Sequence, residues 1–179
     1  MFDKRGILTL IIGCICAAVL VVIDQLIKAW LVNDFALSES REWLKIGSTK
    51  IMNLTYVLNS GAAFSSFSGR RVMLILIPVV LTILCLFGLL YFAKMSKLSV
   101  VGVTMVLGGG VGNLIDRIFN GGEVIDYLDV QLFDFAVFNF ADVCICVGVA
   151  LVAFYLLILE PIAAKKAKQN PPAEESAHE

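Results

Sequence analysis

The sequence predicts an all-α integral membrane protein with four transmembrane helices. Hydrophobic residues make up 59% of the 179 residues, only 16% are charged, and the mean hydropathy is +0.90. A soluble domain is nearer one half apolar and one quarter charged. The apolar residues also gather into four runs, each close to the roughly 20 residues that a helix needs to cross a bilayer.

The four runs predict spans over 6–28, 72–93, 98–117 and 138–160, within a single membrane domain that covers residues 1–160. The first run resembles a secretory signal peptide, but it is too long for one and has only a weak cleavage pattern. We therefore expect it to remain as an uncleaved first helix. The residues after it, 161–179, contain Pro, Glu and Ser, and this composition predicts a disordered cytoplasmic tail.

A mixed polar segment, 33–71, separates the first two spans. Within it, residues 50–58 are rich in β-branched and aromatic side chains, which predicts a strand and a short sheet lying on the membrane. Residues 59–64 then read Asn-Ser-Gly-Ala-Ala-Phe. This stretch predicts either a turn into a short amphipathic helix or a loop that contacts a substrate.

The basic residues near the spans predict the topology. Lys and Arg favour the cytoplasmic side of a membrane, and with four spans three basic groups share one side: Lys4 and Arg5, Lys94 and Lys97, and Lys165, Lys166 and Lys168. We therefore expect both termini in the cytoplasm. The segment 33–71 and the acidic loop 120–138 then lie outside, with Arg70 and Arg71 as the contrary residues.

The composition excludes several kinds of site. The one histidine, His178, lies in the predicted tail, so Ser-His, Cys-His and His-based zinc sites lack a partner in the body of the protein. All five cysteines lie inside apolar runs, where small packing side chains are common. A net charge of −1 gives no indication of nucleic-acid binding.

Polar side chains from three separate spans collect in one layer near the outer surface. This layer contains Asp24 and Lys28 from span one, Asn113, Asp116 and Arg117 from span three, and Asn139 and Asp142 from span four. Asp24 and Lys28 are four residues apart on one helix face and can pair. This pair is either an interfacial ion pair or part of an active site, and we expect Asp116 to pair with Arg117 or with a neighbouring helix end.

Carboxylates are the chemistry available in this layer. Two carboxyl groups close together tend to share one proton, so that one can activate water while the other polarises a carbonyl. Asp126 and Asp142 are the natural pair, because each follows an apolar stretch that would position it. Asp129 and Asp134 lie in the loop between them, and we expect both to be solvated.

Five short motifs follow one another in order along the chain. They are Asp24-Gln-x-x-Lys28, Asn59-x-Gly-x-x-Phe64, Gly109-Gly-x-Gly-Asn113-x-x-Asp116-Arg117, Val124-x-Asp126 and Phe138-Asn-x-Ala-Asp142. Each motif alone is weak. Together, placed between four spans, they make the chain resemble the lipoprotein signal peptidase family, also called signal peptidase II, over residues 24–159.

The resemblance implies an endopeptidase of the bacterial plasma membrane that removes signal peptides from diacylglyceryl-modified lipoprotein precursors at the outer face. It implies that no metal or organic cofactor is needed, and a fold with an extracytoplasmic β-cradle and a short amphipathic helix. We expect the protein to be a monomer. By position, Asp126 and Asp142 match the catalytic dyad. The residues that match the substrate-binding part of the site are Asp24, Lys28, Asn59, Gly61, Asn113, Arg117 and Asn139.

Three other functions compete with this interpretation. A proton-coupled transporter would carry charges near the middle of its spans, and these spans carry none there. A Ser–Lys peptidase would use Lys28 with Ser60, Ser65 or Ser66, but the spacing favours none of these serines. A non-enzymatic scaffold would leave the carboxylate of Asp142 at a membrane edge unexplained.

Overall fold

A computed structural model gives the fold and describes residues 4–61, 71–93 and 96–169. Within these ranges, four helices are long and apolar enough to cross a membrane. They are α1 (Lys4–Asp34), α2 (Arg71–Phe92), α3 (Lys97–Phe119) and a fourth helix that begins as α4 (Phe140–Phe154) and continues through Lys166. Large hydrophobic side chains are exposed along α1, α2 and α4, as a helix bundle in lipid requires. The predicted fold class is confirmed.

Helix α4 does not stop where the sequence predicts. It passes through a π-helical turn, Tyr155–Leu159, into α5 (Glu160–Gln169). The first part of the segment predicted to be a disordered tail is therefore helical as far as Gln169. The π-helical turn shifts the hydrogen-bond pattern directly before Pro161, so the missing N–H of this proline does not end the helix.

Three antiparallel strands form one sheet in the order β1 (Ser40–Ile46), β2 (Thr49–Asn59) and β3 (Val124–Val130). The strand predicted from residues 50–58 is thus confirmed as β2. Its register with β3 pairs Asn59 with Val124 and Val57 with Asp126. The sheet therefore brings Asn59 next to the carboxyl group of Asp126. The short amphipathic helix expected after Asn59 would fall in 62–70, outside the described residues.

The sheet is fixed to the helices by a small apolar cluster. Leu31 and Phe35, at the end of α1, pack with Ile125 and Tyr127 of β3, and all four are buried. Alternate residues of a strand point to opposite faces, so Ile125 and Tyr127 face this cluster while Asp126 between them faces the other way. We call the end of the bundle that carries the sheet the sheet end.

Helix α3 is the central helix of the bundle. Of its apolar span, 56% of the residues are buried, against 11–17% in the other three spans. Glycines make this close packing possible: a Cβ on Gly102 would lie 2.7 Å from the carbonyl oxygen of Gly148 in α4, and a Cβ on Gly109 would collide with the carbonyl of Ala141. Small residues of this kind let membrane helices approach closely.

The glycine run over 108–112 can serve helix packing or leave room for a substrate. Cβ atoms on Gly108 and Gly112 would also meet neighbours, from Leu20 and Asp24 of α1. Gly110 differs, because a Cβ there would meet nothing within 4 Å. Packing therefore explains three of the four glycines in the run, and Gly110 borders open space.

We expect Gly102→Val to destabilise the bundle, because the added side chain must push α3 away from α4. Overpacking of this kind costs about 1–3 kcal/mol. Gly110→Ala is the matched control in the same helix and should leave stability unchanged or slightly raised. Thermal unfolding of both purified variants in detergent measures the difference, and equal melting temperatures would contradict the packing role of Gly102.

Candidate active site

A buried ion cluster lies at the sheet end of α1 and α3. The Nζ of Lys28 lies 2.8 Å from Asp24 Oδ2 and 2.8 Å from Asp116 Oδ2. The side chains of these three residues are 1–2% exposed. The predicted pairing of Asp24 with Lys28 is confirmed. Of the two partners expected for Asp116, the neighbouring helix is the one found, through Lys28, and not Arg117.

Gln25 completes this cluster, a role that was not predicted from the sequence. Its Nε2 donates to Asp116 Oδ1 at 2.9 Å, to the carbonyl of Gly112 at 3.2 Å and to Asp24 Oδ2 at 3.3 Å. Buried carboxylates require such donors, because the desolvation penalty of each ion is several kcal/mol. The position of Gln25 inside the first motif, directly after Asp24, could have indicated that it belongs to the same cluster.

Asn113 connects the ion cluster to the carboxyl group of Asp142. Its Oδ1 accepts hydrogen bonds from Lys28 Nζ at 3.1 Å and from Asn139 Nδ2 at 3.0 Å. Its Nδ2 donates to Asp142 Oδ1 at 2.7 Å. The charge on Lys28 orients the amide of Asn113, because the ammonium group can only donate. The amide nitrogen is therefore directed at Asp142.

Asn139 holds both predicted catalytic carboxyl groups. As the N-cap of α4, it forms a capping box in which its Oδ1 accepts from the N–H of Asp142 at 2.9 Å and its own N–H donates to Asp142 Oδ2 at 3.2 Å. Asn at an N-cap followed three residues later by an acidic residue favours this arrangement. Its Nδ2 donates to Asp126 Oδ1 at 2.7 Å. One buried residue thus holds both carboxyl groups, that of Asp126 through its side chain and that of Asp142 through its backbone N–H.

Asp126 is buried on β3 with two amide donors. Besides Asn139, it accepts a hydrogen bond from Asn59 Nδ2 at 2.8 Å, and Asn59 Oδ1 in turn accepts from the N–H of Gly61 at 3.0 Å. Burial raises the pKa of Asp126 to about 6, and the charge of Asp142 adds to this effect, while the hydrogen bonds from Asn59 and Asn139 oppose it. A carboxyl group in this range can hold or release a proton near neutral pH.

A cavity of about 520 Å³ opens next to these carboxyl groups. Six of the nine predicted site residues line it: Asn59, Gly61, Asn113, Arg117, Asp126 and Asp142. The rest of its wall is apolar and comes from Val124, from residues 135–138 and from Val143, Cys146 and Val147 of α4. This apolar wall was not predicted from the sequence, although Cys146 lies one helical turn after Asp142 and therefore on the same face.

Three residues predicted to bind substrate lie behind the cavity instead of lining it. Asp24, Lys28 and Asn139 are 0–1% exposed and are occupied by the hydrogen bonds and ion pairs described above. Their positions indicate that they hold the carboxyl groups of Asp126 and Asp142 in place and do not contact a substrate directly. This revises the expectation for these three residues, while the roles of the other six stay predictions.

The two aspartates expected to be solvated do not line this cavity. Asp134 is exposed, and Asp129 is half-buried and accepts a hydrogen bond from Thr55 Oγ1 at 2.7 Å. Across residues 4–61, 71–93 and 96–169, no group of three or more His, Cys, Asp or Glu side chains has an arrangement that could hold a metal ion.

Known proteins resemble this chain over most of its length. The family model for signal peptidase (SPase) II matches residues 16–158. A lipoprotein signal peptidase of Halothermothrix orenii is 38% identical over 79% of this chain and 92% of the relative. One from Streptococcus pneumoniae is 33% identical over 86% of this chain and 94% of the relative.

A solved structure is also similar. It is a bacterial membrane enzyme determined by the in meso method at 2.3 Å resolution, and it matches with a TM-score of 0.72 and 26% identity. The match covers 90% of this chain and 92% of the other.

Lys28→Met should strongly destabilise the protein, because it leaves the carboxylates of Asp24 and Asp116 buried without their cation. Breaking a buried ion pair in this way costs about 3–5 kcal/mol. Lys45→Met is the matched control: it breaks the exposed pair with Glu42, which solvent screens, and should change stability little. Unfolding in mixed micelles measures both variants. Equal stability would show that the ion cluster does not hold the bundle together.

The carboxyl group of Asp126 should titrate near pH 6, which is higher than the range of a solvated aspartate. The infrared C=O band of a protonated carboxyl should therefore be present below pH 6 and disappear as the pH rises through it. Asp126→Asn should remove this band, and Asp129→Asn should not. A band that is already lost by about pH 4, as for a solvated aspartate, would contradict the effect of burial.

Proposed function

The chain belongs to the signal peptidase II family, and on that premise we propose that it is an aspartyl endopeptidase acting on diacylglyceryl-modified bacterial prolipoproteins. It removes their signal peptides by cleaving just before the lipidated cysteine. The observation that carries this proposal is the pair of carboxyl groups, Asp126 and Asp142, which line one cavity and are both held by Asn139.

The two carboxyl groups have different surroundings. Asp142 accepts hydrogen bonds from Asn113 Nδ2 and from the N–H of Asn139, and it lies in the first turn of α4, where the helix dipole stabilises an anion. Asp126 is buried on a strand, and its pKa is raised to about 6. We therefore assign the resting proton to Asp126 and the role of general base to Asp142.

Hydrolysis then follows the logic of an aspartic dyad. Asp142 removes a proton from water, whose oxygen forms a bond to the scissile carbonyl carbon. Asp126 donates its proton to the carbonyl oxygen, which gives a tetrahedral diol. When the carbon–nitrogen bond breaks, the proton on Asp142 passes to the leaving amine and the diol returns a proton to Asp126, so both carboxyl groups recover their starting states.

The cavity wall suits a substrate that carries acyl chains. Val143, Cys146 and Val147 line the cavity, and Val143 and Val147 are 38% and 42% exposed on the surface of α4. The cavity is therefore continuous with a face of α4 that contacts lipid in a membrane. Acyl chains on the substrate cysteine can stay among the membrane lipids while the peptide reaches Asp126 and Asp142.

The charge distribution supports a defined orientation in the bacterial plasma membrane. Five exposed basic residues lie at the end of the bundle opposite the sheet: Lys4, Arg5, Lys97, Lys165 and Lys166. The exposed basic residues on the sheet, Arg41, Lys45 and Lys50, form ion pairs with acidic neighbours instead. Such residues favour the cytoplasmic side. We therefore place both termini in the cytoplasm and the site at the outer face. The enzyme works as a monomer, with no cofactor and no nucleic-acid partner.

The contacts of Lys28 speak against the Ser–Lys alternative. A catalytic lysine must be neutral to act as a base, and neutral lysines occur where the charge is desolvated without an anion nearby. Here the Nζ of Lys28 lies 2.8 Å from the carboxylates of both Asp24 and Asp116, so two anions lie directly against it. Its hydrogen bonds and ion pairs join it to these two residues and to Asn113, and none joins it to Ser60. The other two candidate serines, Ser65 and Ser66, lie outside the described residues.

Asp126→Asn and Asp142→Asn should each lower kcat/KM for a diacylglyceryl-modified precursor by about 10³-fold or more, because each removes one partner in proton transfer. Asp129→Asn is the matched control on the same strand as Asp126 and should keep full activity. A cleavage assay in detergent, with melting temperatures to verify folding, measures all three variants. Full activity of a folded Asp126→Asn or Asp142→Asn variant would overturn the dyad assignment.

A further inference from the structure

A second cavity, of about 190 Å³, lies between α2, α3 and α4. Asn113, Arg117 and Asp142 line both this cavity and the first one, so these three side chains form a shared wall. The other lining side chains used below are those of Pro78, Thr82 and Gly110. Asp142 is therefore in contact with two separate spaces, and the proposed reaction uses only one of them.

Two polar atoms of the lining residues are buried without a hydrogen-bond partner among the described residues. They are Thr82 Oγ1 and Arg117 Nε. A threonine in a helix usually donates to the carbonyl four residues earlier, as Thr104 does to Val100 at 2.8 Å. Thr82 does not make this bond to Pro78. Buried polar groups without a protein partner are commonly satisfied by bound water.

Gly110 also contributes to this cavity. It lines the space, and a Cβ added to it would meet nothing within 4 Å, whereas the neighbouring glycines of the run press against other helices. The volume is sufficient for several water molecules, since about 15 Å³ is enough to hold one. The cavity thus combines room for water with two polar atoms that lack partners.

We propose that this second cavity is a water site that delivers the hydrolytic water to Asp142 across the shared wall. Each peptide bond that is cleaved consumes one water molecule. An extended peptide in the first cavity would cover Asp126 and Asp142 from that side and block entry of bulk water. A water held by Thr82, Arg117 and the carboxylate of Asp142 reaches the general base without crossing the substrate.

This inference rests on the proposed function for its role in catalysis, but not for the presence of water. Thr82 touches neither predicted catalytic carboxyl group in any hydrogen bond of the structure, so it acts as a positioning residue for water. Thr82 lies about 16 Å along α2 from Arg71, at 1.5 Å per residue. A hydroxyl this far into an apolar helix has few polar partners other than bound water.

Crystal structures of the wild-type enzyme and of Thr82→Val test the occupancy directly. We expect ordered water within about 3.2 Å of Thr82 Oγ1 and of Arg117 Nε in the wild type. The water bound to the hydroxyl should be lost in Thr82→Val, which keeps the shape of the side chain. An acyl chain of a lipid or detergent in this cavity, or no density in it, would overturn the proposal.

Kinetics test the supply of water. Gly110→Leu should fill the cavity and lower kcat for a lipid-modified precursor by about tenfold, while KM stays the same because the first cavity is intact. Gly110→Ala, the matched control, should keep most of kcat. Thr82→Val should lower kcat several-fold, and Thr82→Ser should restore it because it retains the hydroxyl. Melting temperatures identify any variant that is merely misfolded.

The possible failures can be told apart. A wild-type enzyme that does not cleave the lipid-modified precursor would refute the proposed function, whereas the crystallographic test of water would still stand. An active wild type together with a folded Gly110→Leu variant of unchanged kcat would refute the water supply alone. Equal losses in Thr82→Val and Thr82→Ser would also refute it, since the hydroxyl would then have no role.

Discussion

The site depends on one buried cation. Lys28 is held between Asp24 and Asp116 at 2.8 Å from each, and the three residues join α1 to α3 in a place from which water is almost excluded. In a low-dielectric setting each of these charges is costly alone, and only the complete set is stable. The cluster therefore restricts α1 and α3 to one relative position, and with them the amide of Asn113, which accepts a hydrogen bond from the same ammonium group.

Asn113 and Asn139 connect the buried ion cluster to the carboxyl groups of Asp126 and Asp142 through hydrogen bonds. Asn113 donates to Asp142, and Asn139 donates both to Asp142, through its backbone, and to Asp126. The result is an asymmetric pair, with Asp142 at a helix N-terminus and Asp126 buried on a strand. Asymmetry of this kind suits the proposed roles, in which one carboxyl group donates a proton while the other accepts one.

Much of this arrangement could be predicted from the sequence, because it is encoded locally. The spacing of Asp24 and Lys28 predicts their pairing, the β-branched residues before Asn59 predict a strand, and the position of Asp142 at the start of an apolar run predicts a functional carboxylate. The pairing of Lys28 with Asp116 could not be predicted in this way. It joins residues of two helices, and periodicity within one helix does not determine which face of another helix it meets.

The buried positions of Asp24, Lys28 and Asn139 depend on how the helices pack, and so does the second cavity beside Gly110. The sequence alone did not distinguish a packing glycine from one that leaves space.

We propose that a carboxyl pair at the edge of the membrane acts on a lipid-modified peptide. The most direct test compares cleavage of one precursor with and without its diacylglyceryl group, by the purified wild-type enzyme. We expect cleavage of the lipid-modified precursor only, just before the modified cysteine. Equal cleavage of both forms, or of neither, would contradict it.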